Sequence, residues 1–135
     1  MGAAELIVDA SAILAILFDE PEGEHMEDIL INSPGLCEIS PMNFLEAAVR
    51  IDRMRSEEKS AKFDELVQAL GIKIATITPD QALLARDAYQ RFGKGNHRAG
   101  LNLGDCFAYA LSKARNEPLL FKGDYFRQTD VEAAL

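Results

Sequence analysis

A chain of 135 residues with 48% apolar and 27% charged side chains has the composition of one globular domain, able to bury a core without disulfides or a structural metal. Its two cysteines, Cys37 and Cys106, lie far apart without a CxxC pattern, which excludes a disulfide framework and a zinc site and points to a reducing, cytoplasmic setting. The net charge of −8 speaks against a simple basic nucleic-acid binder, unless some of the acids are metal ligands whose cation inverts the local field; it also suits a basic protein partner.

Glu5 stands where a signal peptide would carry basic residues, so no such segment is expected. The first element reads Glu5-Leu6-Ile7-Val8-Asp9, a continuous apolar run closed by an acid, as in a strand covered on both faces. Ser11 is expected to cap a helix running to about Phe18. The apolar stretch from Ala10 to Phe18 is too short to cross a bilayer, so no membrane association is expected. Pro21 opens a second helix to about Ile31, and Ser33-Pro34-Gly35 is a turn. Leu36-Cys37-Glu38-Ile39 is a weaker strand. Ser40-Pro41 supplies a cap and a first-position proline for a helix to about Met54.

Ser56 starts another helix, with Phe63, Leu66, Val67 and Leu70 on one stripe and Gly71 at its end. Ile72 to Ala75 is a third strand. Thr78-Pro79-Asp80-Gln81 reads as a capping box for a helix to about Phe92, stopped by Gly93. Lys94 to Gly100 is a basic, mobile loop. Asn102 caps a helix whose stripe is Leu103, Phe107, Ala110, Leu111 and Ala114. Leu119-Leu120-Phe121 is the last strand, and Gly123 marks the turn after it. Strands alternating with helices predict an α/β fold with a parallel sheet between helical layers.

In such sheets ligands bind beyond the carboxyl ends of the strands. Asp9 ends the first strand, Asp124 follows the last, Asp105 opens the helix after Asn102, and Glu46 lies in the helix after the second strand. Each has an ordinary structural use. Asp9 suits a helix N-terminus, Asp105 suits a capping box with Asn102, Glu46 suits an i, i+4 pair with Arg50, and Asp124 suits a turn. Asp87, between Arg86 and Arg91, is accounted for by a surface pair. The helix carrying Asp105 is apolar nearly all round, however, and a carboxylate on a buried helix is costly unless paired or holding a cation. Gathered together, the acids need a hard cation to offset their repulsion, and an all-oxygen site of few carboxylates suits Mg²⁺ or Mn²⁺. Asp9 and Asp105 are the expected metal ligands. Ser11, Lys94 and Arg98 are possible RNA contacts, the loop cations on the phosphate backbone, with a merely solvated loop an equally open reading.

These residues resemble a known family. The chain is similar to PIN-domain ribonucleases, specifically the toxin half of a VapBC-type toxin–antitoxin pair. The resemblance rests on Ile7-Val8-Asp9-Ala10-Ser11, on Glu46, on the block from Gly93 to Phe107, and on Leu119-Leu120-Phe121-Lys122-Gly123-Asp124. It covers nearly the whole chain. It implies a three-layer α/β/α fold around a short parallel sheet and magnesium-dependent RNA cleavage. It also implies inhibition by a cognate antitoxin, homodimers, and operator DNA reached only through the antitoxin. Carried over by position, Asp9 and Asp105 match the metal ligands, Glu46 the third acid and Ser11 the accompanying hydroxyl. The family's last motif commonly has an aspartate immediately before the phenylalanine. Here Tyr125 precedes Phe126, so either Asp124 fills the fourth place or activity is reduced.

Two other classes stay open at this stage. One is a binding module whose altered last motif has cost it catalysis. The other is a metal-dependent phosphatase or phosphotransfer domain with Asp9 as nucleophile, disfavoured because Ser11 occupies the place of the second aspartate that chemistry uses.

Overall fold

The computed structural model describes residues 6–135. Its elements, in chain order, are β1 (Leu6–Val8), α1 (Ala10–Leu17), α2 (Gly23–Ile31), β2 (Cys37–Ile39), α3 (Pro41–Asp52), α4 (Glu57–Ala69), β3 (Lys73–Ile74), α5 (Pro79–Phe92), α6 (Leu103–Arg115) and β4 (Leu119–Leu120). A turn of 3₁₀ helix follows at Phe126–Gln128. The four strands run parallel in the order β3-β2-β1-β4. The short, parallel, doubly covered sheet is the α/β/α layering expected from the alternation of elements. Glu5, expected to begin the first strand, lies outside the described residues.

Alternation along the strands builds two cores, because successive side chains point to opposite faces of the sheet. Leu6, Val8, Cys37, Ile39 and Leu120 face α1 to α4, meeting Ile13, Met26, Ala47, Ile51 and Phe63. Ile7 and Leu119 face the other way, onto Ala85 and Ala88 of α5 and Ala108, Tyr109 and Leu111 of α6. Among the described residues the C-terminal segment covers the outer edge of β4: the Leu119 N–H donates to the Glu132 carbonyl, and Ala134 donates back to Leu119.

Several boundaries differ from expectation for identifiable reasons. Asp9, rather than Ser11, is the N-cap of α1, its carboxylate accepting from the Ser11 N–H. The second helix begins at Gly23, not Pro21. A Cβ at Gly23 would lie 2.5 Å from the Ala15 carbonyl oxygen, so only glycine lets α2 start flush against α1. Ser40 opens α3 without a side-chain cap, its buried hydroxyl unpartnered, and α3 ends at Asp52 instead of Met54. The third strand shrinks to Lys73–Ile74, both exposed at the sheet's edge, and Phe121 falls just outside β4. Thr78 accepts from the Gln81 N–H as expected, but the Gln81 side-chain oxygen takes no bond back from the Thr78 N–H, so half of the capping box forms.

The strand order fixes where a site can form. From β1 the chain steps to β2 and β3 on one side, then returns through α5 and α6 to place β4 on the other. The crevice beyond the carboxyl ends of β1 and β4 is the point where the winding reverses, and there the neighbouring loops part.

Candidate active site

Asp9 leaves β1 directly into that crevice. The Asp9 N–H donates to Leu120 of β4 (3.0 Å), tying it to the sheet. One carboxylate oxygen, Oδ2, accepts from the Ser11 hydroxyl (2.6 Å) and the Ser11 N–H (3.1 Å). The Ser11 hydroxyl itself accepts from the Lys122 N–H after β4 (3.0 Å). Asp9 is therefore held by both strands. Its other oxygen, Oδ1, is buried with no hydrogen-bond partner, which is unfavourable for a carboxylate unless a cation or water takes it up.

Asp105 arrives from α6. The capping box forms: the Asp105 N–H donates to Asn102 Oδ1 (2.8 Å), and Asp105 Oδ2 accepts from the Asn102 N–H (3.0 Å). The structural and functional uses of Asp105 thus coexist, since the box fixes one carboxylate oxygen at the rim of the cleft. Asp9 and Asp105 line one cleft of about 390 Å³ together with Ser11, Lys94, Arg98, Asn102, Lys122, Tyr125 and Phe126.

Glu46 approaches along α3. The residue is exposed, yet its carboxylate lies on Gly104 so closely that a Cβ there would collide with it. Asn43, one helical turn earlier and fully buried, donates its amide to both Glu46 Oε1 (3.0 Å) and the Gly104 carbonyl (2.9 Å), locking α3 to the start of α6. Arg50, which a surface pair with Glu46 would use, instead lies 5.4 Å over the Phe18 ring.

The three acids sense one another. Burial pushes the Asp9 carboxyl above its usual range against the opposing Ser11 hydrogen bonds. Burial likewise raises Glu46, with the Asn43 hydrogen bond opposing and the Asp9 charge adding. Asp105 is pushed up from 3.8 to about 6 by burial, which outweighs the Asn102 N–H and is reinforced by the charges of Asp9 and Glu46. Mutual destabilisation of ionised carboxylates is the signature of a site short of positive charge.

Among the described residues, no three His, Cys, Asp or Glu side chains converge closely enough to grip one metal ion unaided. Two aspartates with waters in the remaining positions suit Mg²⁺, which commonly takes one or two carboxylates. The donor set is all oxygen, and the orphaned Asp9 Oδ1 supplies an open ligand, so the residues present fit a hard divalent cation.

Asp124 is exposed and does not line this cleft; it borders a neighbouring recess with Glu22 and Arg127. The position before Phe126, occupied by Tyr125, is the one that reaches the cleft. Lys94 and Arg98 do line it, both exposed, on a loop closed at its base by Lys94 N–H to Leu101 and Leu101 N–H to Phe92 (both 2.9 Å). His97 serves that loop: its Nδ1 accepts from the Ala99 N–H (3.0 Å) and its ring meets Phe92 edge-on. The loop expected to be mobile is thus tethered from inside. Ser11, expected to touch RNA, spends its hydroxyl on Asp9 and Lys122. Asp87 pairs with Arg91 at the surface (3.2 Å), as expected.

Sequence reasoning missed Asn43 and Lys122. A polar residue three positions before Glu46, on the same face of a helix, was a usable signal for the first. Lys122 follows β4 directly, and its ammonium pairs with Glu20 and Glu22 of the α1–α2 turn.

The profile of the PIN domain family matches residues 6–132. The chain is 44% identical over 128 residues to a Ribonuclease VapC of Mycolicibacterium smegmatis, covering 95% of this chain and 98% of that one. It is also 44% identical over 131 residues to Ribonuclease VapC28 of Mycobacterium tuberculosis, covering 96% and 98%. In fold it is similar to the crystal structure of Mycobacterium tuberculosis VapC20, described as a sarcin-ricin loop cleaving toxin. The TM-score is 0.69 at 15% identity, over 95% of this chain and 98% of that one.

Proposed function

The chain belongs to the PIN-domain family, and we propose that within it the protein is a Mg²⁺-dependent endoribonuclease, the toxin half of a VapBC-type pair. The observation that carries this reading is the buried, unpartnered Asp9 Oδ1 in a cleft shared with Asp105, beside a third acid held on Gly104. When bound, the cation, Mg²⁺ or alternatively Mn²⁺, supplies Lewis-acid polarisation of the scissile phosphate and makes nearby water more acidic.

Asp9 and Asp105 would hold the cation, with Oδ2 of Asp9 kept in place by Ser11. Glu46 acts through water: Asn43 occupies Oε1, which leaves Oε2 to take the proton of the water that attacks phosphorus. As the new P–O bond forms, the bond to the leaving sugar oxygen breaks, and that oxygen takes up a proton from solvent water. Lys94 and Arg98 hold the RNA phosphates. Asp124 stays outside this set, so the site works with three acids.

The partner is a cognate antitoxin with basic character, matching the net charge of −8. Its groove lies between α3 and α4, beside the recess lined by Leu17, Phe18, Ile51, Lys59 and Lys62. The protein acts in the cytoplasm as a homodimer and reaches operator DNA only through the antitoxin. No helix among the described residues is long and apolar enough to cross a membrane.

Purified protein incubated with total RNA tests this reading. Cleavage should require Mg²⁺, stop in EDTA, return when the ion is restored, and be absent in Asp9→Asn. Cleavage surviving both chelation and the substitution would sink it. One observation favours a second reading, a binding module without catalysis: Tyr125 stands where an acid would complete a larger cluster. Retained antitoxin binding with no cleavage in any divalent ion would select it.

A further inference from the structure

Tyr125 has features that a catalytic acid's stand-in does not require. It is a large apolar side chain left 59% exposed, on the wall of the cleft that holds Asp9, Asp105, Lys94 and Arg98. Of the other two tyrosines, Tyr109 is buried and donates to Asp130 (2.7 Å), and Tyr89, itself 47% exposed, packs its ring against Gly93 outside this cleft. Tyr125 makes no side-chain hydrogen bond and no ring–ring or ring–cation contact among the described residues. Its backbone is nonetheless fixed. Gly123, at φ 103°, makes the turn before it in a conformation that disfavours other residues. Phe126 after it is buried against Phe121 with ring centroids 5.1 Å apart, and the Tyr125 carbonyl accepts from the Gln128 N–H.

A ring on a fixed stretch of backbone, more than half exposed and lining the same cleft as two phosphate-seeking cations, has the makings of a base-stacking platform. A neutral phenol offers a hard cation less than a carboxylate does, so position 125 contributes surface rather than charge. We propose that Tyr125 is a nucleobase subsite, stacking on an unpaired base next to the scissile phosphate. This rests on the ribonuclease reading given above. Stacking needs a base free of its helix, and it is tolerant of base identity, because every base presents a π face. Paired RNA, with its bases covered, has nothing to offer the ring.

The test uses the full chain and a short single-stranded oligoribonucleotide built around a site mapped by cleavage of total RNA. Tyr125→Ala should raise KM by about tenfold with kcat little changed, and Tyr125→Phe should behave as wild type. The same oligonucleotide, carrying 2-aminopurine beside the scissile phosphate, should be quenched on binding to the Asp9→Asn protein. That quench should disappear when Tyr125→Ala is added. A duplex of the same sequence should be cut poorly. Unchanged KM and an unchanged quench in Tyr125→Ala would overturn the proposal, as would a Phe variant as impaired as the Ala variant. If wild type cuts while these arms fail, the ribonuclease reading stands and the stacking subsite falls. If wild type neither binds nor cuts RNA, both fall together.

Discussion

Replacing Asp105 with asparagine should make the metal-free protein more stable while destroying its activity. The Asp105 carboxyl is raised from 3.8 to about 6, chiefly by burial and then by the charges of Asp9 and Glu46. A group whose folded-state pKa exceeds its unfolded value favours the folded state fully below the unfolded value, and that benefit is lost as pH climbs through the folded one. Ionised Asp105 therefore costs the apo protein at most about 3 kcal/mol at neutral pH, at about 1.4 kcal/mol per pH unit. Asparagine removes the charge yet keeps an oxygen for the Asn102 N–H, so the capping box survives. For 135 residues the gain corresponds to a rise in Tm of up to about 10 °C. Calorimetry in EDTA at about pH 7.5 should show that gain, and at about pH 4 it should largely vanish. Mg²⁺ should raise the wild-type Tm and leave the variant nearly unchanged, because binding to the native state alone stabilises by mass action. A variant no more stable than wild type at the higher pH, or equally stabilised at both, would refute the electrostatic reasoning.

Gly104→Ala should lower Tm by a few degrees, since its methyl displaces the Glu46 carboxylate and costs buried Asn43 a hydrogen-bond partner, outweighing alanine's preference for helix. Single-turnover cleavage should then fall about 100-fold, the usual penalty for ångström-scale misplacement of a reacting group. Asp124→Asn should change kcat/KM by no more than about threefold, as expected of an exposed residue outside the cleft; a loss like that of Asp9→Asn would bring Asp124 back into the site. Replacing Lys94 and Arg98 with alanine should weaken RNA binding and flatten its dependence on log salt by roughly 0.7 per lost phosphate contact.

The layers of the fold were legible because apolar strands and striped helices alternate along the chain, and each pattern has one way to bury its apolar residues. Asp9 could be placed at the sheet's binding edge from the strand that precedes it. Asp105 could be singled out by its apolar company. What the sequence did not display were contacts between distant segments. Gly104 and Glu46 meet only because α3 crosses the start of α6, and nothing near Asn43 in the sequence points to the Gly104 carbonyl it bonds. Helix starts were misjudged where tertiary contact overrides local preference. Pro21 is a reasonable first residue for a helix, but Gly23 alone fits against Ala15. The fourth acid was ambiguous because a shift of one residue in a turn decides which side chain reaches the cleft, and here Tyr125 does.

The most direct test of the whole account is where a divalent ion sits. In crystals soaked with Mn²⁺, an anomalous peak should lie within about 2.2 Å of Asp9 Oδ1 and of an Asp105 carboxylate oxygen, its remaining positions filled by water. A peak elsewhere, or none, from protein that still cuts RNA, would contradict it.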